Sequence, residues 1–193
     1  MTRARSVLSA LSTAAALLLL TAPASAKECE DVKLPDSVTV DGTKLVLNGM
    51  GVREATVLNV NVYVAGLYVE VKSSNAATLL AAEGPRQLVL RFVRDVDRDD
   101  VVEAYQESFN NSGQAAKFAP QIKKLLAMMV DAKDGVAWIY TYTPAKGLEV
   151  KIGAAAKGTI EGADFFEVFL GIWLGPKPPN KGLKTGLLGG ECG

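Results

Sequence analysis

The segment 49–70 constrains the fold more than any other part of the sequence. It begins with two glycines at a predicted turn and with Arg53, and it continues as a long run rich in β-branched residues that is broken once, at Gly66. Such a run predicts a β-strand over 56–71. A glycine inside a strand is typical of a β-bulge, and we expect one near Ala65 and Gly66 that keeps the apolar residues on one face.

Arg53 is the first residue in this segment that needs an explanation. An arginine is costly to turn into a sheet unless an anionic group meets it. Two interpretations follow from the residues alone. Either Arg53 binds an anionic ligand, or it pairs with a local carboxylate such as Glu54 or Glu70, in which case Tyr63 is an ordinary amphipathic strand residue.

The rest of the chain alternates between strand and helix patterns. Apolar alternation and turn signals predict strands within 32–48, 88–94, 136–143, 148–152 and 156–161. Helical spacing predicts a short helix at 75–82, two amphipathic helices between 97 and 129, a strongly apolar helix at 163–174 and a last turn or two at 183–188. Together these patterns predict an α+β fold, with a large antiparallel sheet and a layer of helices on one face.

The first 26 residues resemble a signal peptide. Arg3 and Arg5 precede an apolar stretch at 7–21, and Ala24, Ser25 and Ala26 fit a small-residue cleavage site. The apolar stretch is too short to favour a membrane anchor. We therefore expect cleavage after Ala26, a periplasmic or secreted protein without a stable membrane anchor, and a single domain over 27–193.

Cys29 and Cys192 are the only cysteines, and they lie near the two ends of the predicted mature chain. In an oxidising compartment, an intramolecular disulfide between them is the simplest expectation. Free thiols or pairing between two chains are the alternatives.

The sequence contains no histidine. This excludes nucleophilic systems that need a histidine base and metal sites that need a histidine ligand. No nucleotide-binding glycine motif follows a predicted strand, and acidic and basic residues are balanced at 21 each. We therefore expect no cofactor, no metal, no catalytic residues of these classes and no nucleic-acid partner.

Four segments together resemble the chalcone isomerase family, and in particular its exported bacterial branch. They are the tripeptide Gly51-Val52-Arg53, the strand at 62–70, the segment 92–96 and the final apolar helix with the glycine- and proline-rich stretch that follows it. The resemblance covers nearly the whole predicted mature chain. It implies an open-faced β-sandwich in which a ligand cleft lies between the sheet and the helices.

The resemblance carries over only part of the isomerase site. In the plant enzymes the arginine of this tripeptide holds the anionic oxygen of a chalcone during ring closure, and Arg53 matches it. The catalytic threonine falls at Tyr63, the tyrosine and asparagine of a helix fall near Phe118 and Leu125, and the hydroxyl residue of the last helix falls near Ile172. Isomerase activity is therefore not the first expectation, because the polar network that positions the substrate is replaced.

Non-catalytic members of the family bind a fatty acid by an arginine and a tyrosine on the next strand, a pattern that Arg53 and Tyr63 match. The resemblance thus implies an exported binding protein for a fatty acid or a similar lipophilic anion. The residues expected to line its pocket are Phe118, Leu125, Phe169, Ile172 and Trp173. The alternatives are a chalcone isomerase-type intramolecular lyase with a rearranged site, and a scaffold or partner-binding domain.

Overall fold

A computed structural model describes residues 26–55 and 60–192 of the chain. Within these ranges the strands are β1 (Ala26–Cys29), β2 (Val32–Pro35), β3 (Ser37–Val40), β4 (Thr43–Ala55), β5 (Val60–Val69), β6 (Arg86–Phe92), β7 (Ala137–Thr143), β8 (Gly147–Ile152) and β9 (Ala155–Ile160). The helices are α1 (Ala76–Leu80), α2 (Arg98–Ser112), α3 (Ala119–Ala127), α4 (Ala163–Leu174) and α5 (Lys181–Leu187). The predicted signal peptide lies outside the described residues, apart from Ala26.

The seven strands β3 to β9 form one antiparallel sheet in which spatial order follows chain order. The strands β1 and β2 form a separate antiparallel hairpin. This architecture confirms the predicted α+β fold with a large antiparallel sheet. Among the described residues, no helix is long and apolar enough to cross a membrane.

The helices pack on one face of the sheet, which we call the front face. Its core combines apolar strand residues with buried residues of all five helices, including Leu79, Phe109, Leu125, Phe169 and Leu183. The opposite, back face carries a smaller core. There the β1–β2 hairpin contributes Leu34, which packs with a set of sheet residues: Leu45, Met50, Val64 and Tyr68.

The two glycines of the opening segment lie inside β4, so the turn predicted there is wrong. Gly49 and Gly51 face α5, and its backbone comes so close that a β-carbon at either position would overlap a carbonyl oxygen, that of Gly186 or that of Leu183. Glycine is therefore required because a helix backbone packs directly on this strand.

The bulge predicted at Ala65 and Gly66 is also wrong. Both residues pair regularly with β4 and β6. The irregularities of the β4–β5 pairing lie elsewhere, between Leu47 and Gly49 of β4 and beside Arg53, where β5 carries the extra residue Val62. A β-carbon at Gly66 would overlap the side chain of Leu34. The apolar residues of β5 change face around Gly66 because both faces of the sheet are covered there.

A disulfide joins Cys29 to Cys192, as predicted, with their Cα atoms 5.8 Å apart. The backbone N–H of Val52 donates a hydrogen bond to the carbonyl oxygen of Cys192 over 3.1 Å. The end of the described chain is thus fastened both to the N-terminal hairpin and to β4, one residue before Arg53.

Candidate ligand-binding site

A cavity of about 420 Å³ lies between the front face of the sheet and the helices α2 and α4. Its size is within the range of small-molecule sites. Val62, Leu90 and Phe92 of the sheet and Val101 and Ile172 of the helices supply apolar walls. The cavity is therefore suited to a largely apolar molecule.

Arg53 and Tyr63 lie side by side on the wall of this cavity. They are direct partners in the antiparallel pairing of β4 with β5, which places their β-carbons about 5 Å apart. The Nη1 group of Arg53 donates to the backbone carbonyl oxygen of Glu54. Among the described residues no ion pair joins Arg53 to a carboxylate, neither that of Glu54 nor that of Glu70.

The hydroxyl group of Tyr63 is held by Trp173. The indole Nε1 donates to the Tyr63 oxygen over 3.0 Å, and the Tyr63 ring meets Phe92 edge to face at 5.5 Å. Burial raises the pKa of Tyr63 to about 12, although the bond from Trp173 and the charge of Arg53 act in the opposite direction. The phenol thus keeps its proton at neutral pH and, because its oxygen already accepts from Trp173, can donate that proton into the cavity.

A second phenol, that of Tyr105 on α2, also lines the cavity. Its oxygen lies 2.7 Å from the hydroxyl oxygen of the fully buried Tyr140, and burial raises the pKa of both groups. Either hydroxyl group can be the donor of this bond. Tyr105 thus places a second phenol, tied to the buried Tyr140, on the cavity wall.

The cavity opens to solvent beside α2 and the segment after α4. The polar residues at this mouth are Asp100, Glu107 and Asn111 of α2 and Lys177, and all four are exposed. Two carboxylates and one ammonium group thus lie at the mouth. Only Arg53 is half-buried next to apolar walls, where a charge-assisted bond is stronger.

The structure brings together four of the predicted site residues and leaves three apart. Arg53, Tyr63, Ile172 and Trp173 line the cavity, whereas Phe118, Leu125 and Phe169 do not.

These three residues belong to the front core instead. The ring of Phe118 packs on Phe165 at 5.9 Å, and Leu125 is fully buried on α3, a helix that lies towards β9. Phe169 lies behind the cavity wall, 4.9 Å from the ring of Tyr140 and 5.1 Å from that of Trp173. Their placement as pocket-lining residues is corrected accordingly.

The sequence reasoning missed Tyr105 and the polar residues of α2. It identified the stripe of Val101, Tyr105 and Phe109 only as core. A second stripe of small and polar residues, Ala104, Ser108 and Asn111, follows beside it at helical spacing and also lines the cavity. Polar residues beside an apolar stripe are usual for an amphipathic helix, so the sequence carried no signal that set this stripe apart.

The described residues contain no group of three or more cysteine, aspartate or glutamate side chains arranged to hold a metal ion. The arrangement that is present combines a guanidinium group, two phenols and apolar walls. Such a site can hold an anionic group at one end of a lipophilic molecule.

Comparisons with known proteins agree with this architecture. A sequence model described as chalcone isomerase-like matches residues 26–189. A search of curated protein sequences gives no significant match. Among solved structures, the chain is similar to a fatty-acid binding protein of Arabidopsis thaliana, with a TM-score of 0.68 and 18% sequence identity over 82% of this chain and 92% of that one. Because the family model spans most of its length, this chain belongs to the chalcone isomerase-like family.

Proposed function

We propose that this protein binds a fatty acid or a similar lipophilic monocarboxylate in the cavity and does not transform it. The observation that carries the proposal is the pairing of Arg53 with Tyr63 on the wall of a cavity that is otherwise mainly apolar. The guanidinium group can bind a carboxylate with two parallel hydrogen bonds, and the phenol adds a third donor. The fold shared with the Arabidopsis fatty-acid binding protein supports the same ligand class.

The proposal also includes export to the periplasm or the exterior after removal of the first 26 residues. The basic and apolar pattern of that segment supports it, and so does the disulfide, a bond typical of oxidising compartments. The intact mass of the protein recovered from the periplasm or the medium tests the cleavage site. Recovery of an uncleaved protein from the cytoplasm contradicts it.

The binding proposal is tested by titrating delipidated protein with a fluorescent fatty acid and by mass spectrometry of co-purified lipid. Arg53→Ala removes the main carboxylate contact, and we expect a loss of affinity of roughly tenfold to a hundredfold. Lys177→Ala is the matched control, because it removes a cation from the exposed mouth of the same cavity. We expect it to change affinity less than threefold, as is usual for an exposed charge.

Two results contradict the assignment. Unchanged affinity in Arg53→Ala shows that the carboxylate lies elsewhere, and a larger loss in Lys177→Ala places it at the mouth. Circular dichroism of both variants ensures that the comparison is made between folded proteins.

A second candidate function, intramolecular ring closure of a chalcone, is favoured by one observation. Tyr105 brings a second phenol to the cavity that contains Arg53 and Tyr63. Incubation with a chalcone and chiral analysis of the flavanone tests this function. A single enantiomer that is lost in Arg53→Ala supports it, and racemic product at the spontaneous rate contradicts it.

A further inference from the structure

The cavity is continued by a groove between α2 and α4. The groove has a volume of about 190 Å³ and contains Val168 and Gly171 of α4. Ser108, Asn111, Ile172 and Lys177 line both the groove and the cavity. The same four side chains therefore form the boundary between the two spaces.

The two spaces differ in chemical character. The cavity contains Arg53 and the phenols of Tyr63 and Tyr105, whereas the exposed wall of the groove is mostly apolar. A molecule whose carboxylate is held at Arg53 has its polar end on the sheet, away from the groove. Its apolar end is directed towards the boundary residues on α2 and α4.

Gly171 is an unexpected residue in the interior of α4. Glycine lowers helix stability relative to alanine, and an interior helical glycine is usually explained by a close neighbour. Gly171 has no such neighbour, because a β-carbon built there meets no atom within 4 Å. By contrast, Gly175, which follows the helix, is required, since its β-carbon would overlap the carbonyl oxygen of Gly171.

The missing side chain at Gly171 therefore leaves open a space that the protein itself does not fill. We propose that the groove is a second subsite, which takes the distal end of a long acyl chain whose carboxylate is bound at Arg53. Gly171 determines how long a chain can be accommodated. This inference rests on the proposed function.

The test compares saturated fatty acids from decanoate to octadecanoate, in displacement titrations on the wild type, Gly171→Ala and Gly171→Leu. A β-carbon at this position meets no atom within 4 Å, so a larger side chain starts from open space beside the groove. We expect Gly171→Leu to leave the affinity for the shortest acids unchanged. For chains long enough to enter the groove, we expect a loss of roughly tenfold for every two methylene groups excluded.

Gly171→Ala is the graded control, because it adds only the β-carbon. We expect it to bind the shortest acids as the wild type does, to lower the affinity for the longest acids less than Gly171→Leu does, and to melt at a slightly higher temperature, as a better helix former. Thermal unfolding of both variants shows that they are folded. If Gly171→Leu does not fold, a medium-sized valine replaces it in the same titration.

The outcomes separate the two proposals. Both proposals stand under three conditions: fatty acids bind the wild type, Arg53→Ala lowers the affinity for acids of every length, and Gly171→Leu lowers the affinity for the long acids only. If Gly171→Leu affects all lengths equally or none, the groove is not a subsite and the anchor at Arg53 stands. If no acid binds the wild type, the proposed function fails and the subsite fails with it.

Discussion

Tyr63 and Tyr68 lie five residues apart on β5 and therefore point to opposite faces of the sheet. Burial raises the pKa of each to about 12. Their hydrogen bonds differ in kind. Tyr68 donates to the backbone carbonyl oxygen of Pro35 over 2.9 Å, whereas Tyr63 accepts from Trp173 and keeps its proton.

The difference between the two faces follows from what covers them. On the back face, the β1–β2 hairpin packs against the sheet and uses the Tyr68 hydroxyl to hold itself in place. On the front face, α2 and α4 leave a cavity, and a tyrosine of the same strand keeps a donor for a ligand. The same strand thus contributes Tyr68 to the packing of the back face and Tyr63 to the wall of the front cavity.

The largest expected effect comes from breaking the disulfide that fastens the back face. Reduction, or the double variant Cys29→Ser/Cys192→Ser, is expected to lower the free energy of unfolding by up to about 5 kcal/mol, because the bond closes a loop with a sequence separation of 163 residues. Urea unfolding with and without reductant measures it. Reductant should have no effect on the double variant.

Fatty-acid affinity, measured with and without the disulfide, shows whether this bond also affects the front face. Under conditions in which the reduced protein is still folded, affinity should be unchanged, since neither cysteine lines the cavity. A parallel loss of stability and affinity contradicts the separation of the two faces.

An intermediate effect is expected from deleting one apolar side chain on each face. Leu45 is fully buried in the back core, and Leu45→Ala should cost about 3–4 kcal/mol. Val62 is half-buried on the cavity wall, and Val62→Ala should cost less than about 1.5 kcal/mol, because no closed cavity is created. Denaturant unfolding of both variants gives the two values, and equal losses show that the front face is packed as tightly as the back.

The last expected effect is alkaline destabilisation, which for each tyrosine is smaller than the loss in Leu45→Ala. A raised tyrosine pKa means that the folded state favours the protonated phenol. Its contribution is therefore fully present below pH 10 and is lost as the pH rises from 10 to 12. We expect a decrease of about 2 kcal/mol for each of Tyr63 and Tyr68.

Phenylalanine variants test this in a way that separates the faces. Tyr68→Phe and Tyr63→Phe should both flatten the fall in stability between pH 10 and 12, measured by urea unfolding at each pH. Only Tyr63→Phe should also weaken fatty-acid binding at neutral pH. An equal weakening by Tyr68→Phe contradicts the roles assigned to the two hydroxyl groups.

Local sequence patterns predicted most of the strands and helices, because their period is set by which residues face a core. The strongly apolar run at 163–174 coincides with α4, and Asn75, just before α1, caps it by accepting from the N–H groups of Ala77 and Thr78. Predictions from these patterns were wrong where the role of a residue depends on a contact with a segment far away in the chain. Glycine is required at Gly49 and Gly51 of β4 because the backbone of α5, more than 130 positions later, packs directly on them.

The candidate site shows the same division. Arg53 and Tyr63 were identified through the resemblance to the chalcone isomerase family, and the structure places them side by side on two successive antiparallel strands. Tyr105 was taken for core, and Phe118 and Leu125 for pocket. The reason is that helical spacing defines the face of a helix but not the part of the sheet that the face covers.

Sequence patterns thus predicted the α+β class, the order of the elements and, as the simplest expectation, the disulfide between Cys29 and Cys192, since these follow from local periodicity and from the small number of cysteines. They did not predict which apolar residues close the core and which leave a cavity, or which phenol accepts a hydrogen bond and keeps its proton. These properties depend on contacts between segments far apart in the chain, such as Tyr63 with Trp173, whose geometry no local pattern contains.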